Sequence, residues 1–490
     1  MPRTLSMLFA GIALIASVAS GAHGATGGSC AGPHAGGDWR LYGHDLSNTR
    51  TQPQSTIDTT KAGSLAPAEV FNTANQQGSG NINSTPTVAD GCVFFATDAG
   101  DVYALNADNL GIVWHDHYAV GQTRLGGTIT GAISIDQNMA LVAVSDAGHP
   151  FVAALDEMTG TEKWRSVIDD RAGSFVNASP TPFNGMIFEG FAGDEYGPAA
   201  RGGFAILDES TGAVLAKHYT IPDTDFDKGY YGGSVWSTPV VDTASGYLYV
   251  GAGNPASHNK EHQYTDALLK IDVDPARTAT FGTIVDAYKG NVDQYYPGLD
   301  RQPVCRANPD VTYADAWSAT CVQFDLDFGA SPNLFTDPRG NVIVGDLQKS
   351  GVYHAVYTKG MEQAWTALVG TPCFICNASS PAMDGGAVFA AGSGSGQLAA
   401  MDRNTGGYRW LAPLMDLVHY EGVSVANGVV YVPDFYGNLN AFDESSGLPL
   451  LKRNMGQDAG TFVGGTTSAG AAIARDTVYV PAAGYLIAYR

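Results

Sequence analysis

Apolar residues come in short alternating runs, such as Cys92-Val-Phe-Phe-Ala96 and Gly246-Tyr-Leu-Tyr-Val250, separated by Gly, Asn and Asp. Such runs predict strands joined by tight turns. A unit recurs along the chain, clearest in Ala154-Leu-Asp156-Glu-Met-Thr159-Gly160-Thr-Glu-Lys-Trp164 and Ala400-Met-Asp402-Arg-Asn-Thr405-Gly406-Gly-Tyr-Arg-Trp410. Weaker copies run from Ala104, Ile206, Ala355 and Ala441, with degenerate ones near Leu269 and Leu486. The unit reads as a strand, a turn in which Asp and Thr bond amides and Gly takes positive φ, and a second strand bearing an aromatic that packs between sheets. Two apolar runs precede each copy, and many units open on a Pro: Thr85-Pro86, Ser179-Pro180, Thr238-Pro239, Ser331-Pro332, Ser380-Pro381. Four strands recurring about every 40 to 50 residues predict an all-β, eight-bladed β-propeller with four-stranded antiparallel blades. The last unit, from about Thr461, has only three strands of its own. The segment near Leu65 to Thr73 is expected to supply the fourth, closing the ring and removing a sheet edge. The spacing stretches only between Asn254 and Asp325, an insertion of about 255–325 that marks function.

Composition agrees with many short strands: Gly is abundant (61) and charged residues are sparse (15%). The formal net charge of -22 repels phosphate backbones, so nucleic acid is excluded as a partner class. Residues 1–24 read as a secretory signal, with Arg3 before an apolar Leu8–Val18 stretch and cleavage after Ser20 or after Gly24. Export to the periplasm or medium follows, with no membrane span in the mature chain. Six cysteines in an exported chain suggest disulfides. Cys305–Cys321 is the preferred pair, Cys373–Cys376 a small-loop bridge, and Cys30–Cys92 the remaining combination. No C-x-x-C-H occurs, so no covalently attached haem is encoded here.

The repeat is broken by polar groups at three places: Glu195 in Phe191-Ala-Gly-Asp-Glu-Tyr-Gly197, Asn254 after the strand Tyr249-Val-Gly-Ala-Gly253, and Asp327 in Asp327-Phe-Gly-Ala-Ser-Pro332. Singly, each fits turn chemistry. Together they are hard oxygen donors from three adjacent blades, a set that could converge on Ca²⁺ near the axis.

At this point the sequence resembles the quinoprotein (pyrroloquinoline-quinone-dependent) alcohol dehydrogenase family, in particular its polyvinyl-alcohol-dehydrogenase-like branch. The resemblance rests on Trp39-Arg-Leu-Tyr-Gly-His-Asp-Leu-Ser-Asn-Thr-Arg50, Val235-Trp236-Ser-Thr-Pro-Val-Val-Asp242, Tyr247-Leu-Tyr-Val-Gly-Ala-Gly-Asn254, Asp325-Leu-Asp327-Phe-Gly-Ala-Ser-Pro332 and Gln348-Lys349-Ser-Gly351. It implies Glu195, Asn254 and Asp327 as calcium ligands, and Trp236 as the floor on which pyrroloquinoline quinone (PQQ) stacks. It further implies Asp327 as the catalytic base and Lys349 as the cation beside the reactive carbonyls. The implied reaction oxidises an alcohol, secondary or polymeric, by hydride transfer to the quinone, with electrons passed to a separate acceptor such as a cytochrome c. Trp236 also fits inter-blade packing, Lys349 a solvated turn, and Asp325 competes with Asp327 because strand alternation puts both on one face. The chain departs from the family pattern at three points. It has no adjacent Cys–Cys pair, Asn83 stands where some relatives have a Glu contacting the cofactor, and Ala192 replaces a small hydroxyl residue. Two readings from other classes stand beside the enzyme: a non-catalytic propeller binding protein in the cell envelope, and a degenerate quinoprotein that has lost its cofactor.

Overall fold

The alternating runs pair in sequence order into eight separate antiparallel sheets. The computed structural model describes residues 24–25, 28–75, 78–120, 127–194, 200–256, 261–291, 326–371, 377–393, 395–414, 422–463 and 469–490. Blade one comprises Thr87–Ala89, Cys92–Ala96, Asp101–Asn106 and Ile112–His117, counted outward from the axis. The inner strands of blades two to eight begin at Ser134, Thr181, Val240, Asn333, Ala382, Ser424 and Ala472. Blade eight is completed as expected: Pro67–Asn72 pairs antiparallel with Tyr485–Tyr489, so both ends of the chain share one sheet. Within the stretched segment, Ala267–Asp272 and Ile284–Lys289 form the outer half of blade four, while 292–325 lie outside the described residues. No helix among the described residues is long and apolar enough to cross a membrane.

The repeat motif is a blade-to-blade fastener. In blade two, Asp156 Oδ1 accepts from the amides of Met158 and Thr159 and from the Thr159 hydroxyl, which fixes the turn. Gly160 then adopts φ +72°, and a Cβ there would stand 2.8 Å from the Trp114 ring of blade one. That ring lies on the turn, and its Nε1 donates to the Glu157 carbonyl at 2.8 Å. The same arrangement joins Trp164 to the Glu209 carbonyl (3.1 Å), Trp365 to that of Arg403 (3.1 Å) and Trp410 to that of Glu444 (2.8 Å). At these four turns the geometry demands a glycine, because the indole occupies the space a side chain would need.

Near the axis, residues 37–52 wind past the inner strands as a belt. Its backbone exchanges hydrogen bonds with Arg475, Val88, Ile135, Val241, Leu334, Met383 and Val425, one residue in each of seven blades. Asn48, at φ +47°, donates its amide to the carbonyls of Thr238, Pro239 and Pro332 and so ties blade four to blade five. Above the belt, the residues just before the inner strands link head to tail. The amides of Ala132, Ser179, Thr238 and Ser331 donate to the hydroxyls of Ser179, Thr238, Ser331 and Ser380 at 2.8–3.1 Å. The Ser/Thr-Pro dipeptides read as turn openers are thus also spokes of an axial ring. A Cys30–Cys92 disulfide anchors the belt's leading segment to blade one. It is the combination ranked last from sequence; Cys305, Cys321, Cys373 and Cys376 lie outside the described residues.

Two glutamates in the fastening turns are almost fully buried, Glu157 at 2% and Glu209 at 1% exposure. Burial, reinforced by Asp90 and Asp136 respectively, pushes each up to about 7. A carboxyl raised in the fold stays protonated after its unfolded counterpart ionises, so it weakens the native state as pH climbs from about 4.5 to about 7. Glu157→Gln is expected to match the wild type in melting temperature near pH 4.5. It should become progressively more stable than the wild type up to pH 7, with a constant difference above, as read from thermal melts across pH. A second test concerns the fastener: Gly447, at φ +71°, would bring a Cβ to 2.6 Å from the Trp410 ring. Gly447→Ala should cost about 1–3 kcal/mol in urea unfolding.

Candidate functional site

Three of the residues singled out in the sequence meet beside the axis. Asp327 precedes the inner strand of blade five and is 1% exposed. Its Oδ2 accepts from Trp236 Nε1 at 2.9 Å, and its Oδ1 lies 2.7 Å from Lys349 Nζ. The Lys349 backbone amide also donates to the Asp327 carbonyl at 3.0 Å, and its ammonium stands 4.8 Å over the Trp236 ring. One carboxylate, one ammonium and one indole are therefore held in mutual contact from blades four and five. Lys349 is not a solvated turn residue, since only 7% of its side chain is exposed.

Local sequence explains the rigidity. Gly351, at φ +81°, closes the turn that carries Lys349, and a Cβ there would strike the Gly370 carbonyl at 2.1 Å. Gly329, two residues after Asp327, lets the Trp236 ring approach so closely that a Cβ would lie 2.4 Å from it. Behind Lys349, the Gln348 amide is bound by the Asn291 backbone, the Ser350 hydroxyl and His354 Nε2. Burial pushes His354 down to about 4, so it stays neutral and serves as a fixed hydrogen-bonding group. Asp346 is fully buried. Burial, with the charge of Asp327 adding to it, outweighs the Leu347 backbone amide and holds it well above the usual carboxylate range, as a neutral acid.

Sequence reasoning passed over Asp346 and His354, which sit on strands whose alternation looks like ordinary core. The signal was present: an Asp at an inward position of Val342–Leu347 has no reason to be there for packing alone.

Asn254 follows the strand Tyr247–Gly251, is 3% exposed, and has no hydrogen-bond partner at Nδ2. The end of that strand abuts the residue after Asp327, since a Cβ on Gly251 would lie 2.7 Å from Phe328. Glu195 and Asp325 lie outside the described residues. Asn83 donates to Asp98 at 3.3 Å and faces the axis.

A chamber of about 250 Å³ opens above Trp236, with Asn83, Tyr42, Ser179, Thr238 and Ser331 among its walls. Its lining is mostly hydroxyl and amide, with one flat aromatic floor. Such a chamber suits a planar ligand with polar edges. The Asn254 side-chain carbonyl and the Asp327 carboxylate are oxygen donors of the type that hard cations take. The residues present thus fit both a quinone cofactor and a calcium-like ion.

Comparison with known proteins agrees with this geometry. A polyvinylalcohol dehydrogenase of a Pseudomonas sp is 28% identical over 339 residues, covering 65% of this chain and 49% of the relative. One from Sphingopyxis sp. (strain 113P3) is 26% identical over 499 residues, covering 91% of this chain and 72% of the relative. The chain thus spans about half the length of the first relative. Among solved structures, the quinohemoprotein alcohol dehydrogenase from Comamonas testosteroni superposes with a TM-score of 0.70 at 14% identity, over 92% of this chain and 80% of that one, which shows the shared fold. The resemblance read from the sequence is borne out by these relatives. A family model described as outer membrane protein assembly factor BamB matches residues 72–259 and 339–490, more than half of the chain, and the protein belongs to that family.

Proposed function

We propose that the protein is a PQQ-dependent alcohol dehydrogenase. The observation that carries this reading is the buried Asp327, held between Lys349 and Trp236, whose indole lines a polar axial chamber. A buried ion pair in contact with an indole that lines a cavity is an arrangement functional sites favour. When bound, the quinone supplies a hydride acceptor and the cation a Lewis acid. Trp236, pinned by Gly329 and by its bond to Asp327, offers a flat face that orients a planar ring. Asn254 and Asp327, with Glu195 as the third member of the set, would hold Ca²⁺; Asn83 would border the cofactor. Asp327 takes the hydroxyl proton of the alcohol at a carboxylate oxygen, as a general base. Lys349 keeps that carboxylate charged and in place, and offers its ammonium to negative charge developing above the indole.

Likeness to two polyvinylalcohol dehydrogenases favours a secondary or polymeric alcohol as substrate, since that polymer is a chain of secondary alcohols. Without a haem-attachment motif in this sequence, electrons pass to a separate acceptor such as a cytochrome c. Residues 1–24 support export to the periplasm or medium. A second reading, a propeller that binds protein in the cell envelope, is favoured by the description of the matching family.

Purified protein incubated with PQQ and Ca²⁺ should gain quinone absorbance and reduce a dye with secondary or polymeric alcohols. Neither signal appearing would sink the enzyme reading and leave the scaffold. Asp327→Asn should lower kcat by about 10²–10⁴ while melting and cofactor uptake persist; turnover within threefold of wild type would remove Asp327 as base. Lys349→Met strips the counter-charge from a buried carboxylate. The acidic limb of kcat/KM, set by ionisation of Asp327, should then move to higher pH, as followed in a pH–rate profile.

A further inference from the structure

The axial ring is incomplete in a specific way. Two residues before each inner strand stand Thr85, Ala132, Ser179, Thr238, Ser331, Ser380, Gly422 and Gly470. Hydroxyls serve in five blades, but blades seven and eight have glycine. The side chain of Arg50, from the belt, fills that gap. A Cβ on Gly422 would lie 2.7 Å from the guanidinium carbon, and one on Gly470 2.3 Å from Nη2, so both positions must be glycine to admit it.

Arg50 is 0% exposed. Its Nε donates to the Val423 carbonyl at 2.6 Å, Nη1 to the Tyr42 carbonyl at 2.9 Å, and Nη2 to the hydroxyls of Thr85 and Ser424 at 3.1 and 3.4 Å. Every one of these acceptors is neutral. Among the described residues no carboxylate forms an ion pair with it; burial lowers its pKa, opposed by Tyr42, and the guanidinium lies over the Trp39 and Tyr42 rings. A guanidinium nonetheless stays charged at neutral pH. Lys349, by contrast, is cancelled by Asp327. The axis therefore contains a buried cation with no carboxylate partner among the described residues, in a molecule whose formal net charge is -22. Tyr42 and Ser84, which line the chamber, touch or adjoin the groups that hold Arg50, so the charge lies one side chain behind the wall.

We propose that Arg50 makes the axial chamber an anion receptor: it selects ligands with carboxylates on the edge facing the ring, by potential and not by contact. Arg50 is thus a positioning residue, and its field is little screened because it is buried. The inference deepens the cofactor reading of the chamber, but it rests on the charge balance and can fail or stand separately.

The test compares acids with their neutral esters on the full chain by calorimetric titration. The probes are PQQ and its trimethyl ester, and benzene-1,3,5-tricarboxylate and its trimethyl ester. Wild type should bind each acid about tenfold or more tightly than its ester. Arg50→Lys should keep that ratio, and Arg50→Gln should bring it near one with ester affinity unchanged. Where Arg50→Gln fails to fold, Ser424→Asp provides the same neutralisation with Arg50 in place, and should also bring the ratio near one. Equal binding of acid and ester by wild type, or a ratio that survives both neutralising variants, would overturn the proposal. Acid preference without any dye reduction would leave the anion receptor and remove the quinone enzyme; dye reduction without acid preference would do the opposite.

Discussion

The structure depends on one constraint: eight inner strands must be held at a fixed radius around an axis that has no core of its own. Sheets packed face to face solve their mutual contacts through side chains, and the tryptophan-on-glycine turns do this at the periphery. At the centre the strands present backbone groups, which need partners. The belt of residues 37–52 and the amide-to-hydroxyl ring meet that need. The floor of the chamber is made of the same atoms that close the fold, so stability and site share one set of residues.

That sharing explains the polarity of the site. Hydroxyls placed to satisfy the ring leave lone pairs and rotatable protons facing the chamber, and Tyr42 enters the wall because the belt runs beneath it. Asp327 and Lys349 are then added where blades four and five meet, braced by Gln348 and Asn291. A neutral His354 and a neutral Asp346 lie behind them. The site is a few charged groups inserted into an otherwise neutral, hydrogen-bonded wall.

Much of this was legible in the sequence, for physical reasons that differ by element. The outer hairpins were visible because Asp, Thr, Gly and Trp each do separate jobs within eleven positions, as in Ala154 to Trp164. The closing strand was visible because blade eight lacked a partner, and Pro67–Asn72 occupies that place. Asp327 could be named because it breaks the repeat, and Trp236 and Lys349 because their segments resemble those of a known family. The axial ring was hidden, since Ser-Pro and Thr-Pro look alike whether they merely turn the chain or bridge two blades. Arg50 was hidden too: its role depends on Gly422 and Gly470, hundreds of residues away and unremarkable among other glycines. The bridge between Cys30 and Cys92 was ranked last, because pairing follows from where the belt starts, and spacing says nothing of that.

Closure through Pro67–Asn72 and Tyr485–Tyr489 also governs how the molecule is made. An emerging chain can assemble blades one to seven in order, each from contiguous residues, but the strand that must finish blade eight appears first and its partner last. Until Tyr485–Tyr489 has emerged, that early strand and the Arg50 belt have incomplete templates. Ring closure is then the step with the greatest sequence separation, and by the entropy of joining distant segments it should be the slow one. A chain stopped short of Tyr485 would hold seven good sheets and an open, sticky edge, which makes the final five-residue strand the checkpoint between a folding intermediate and a finished propeller.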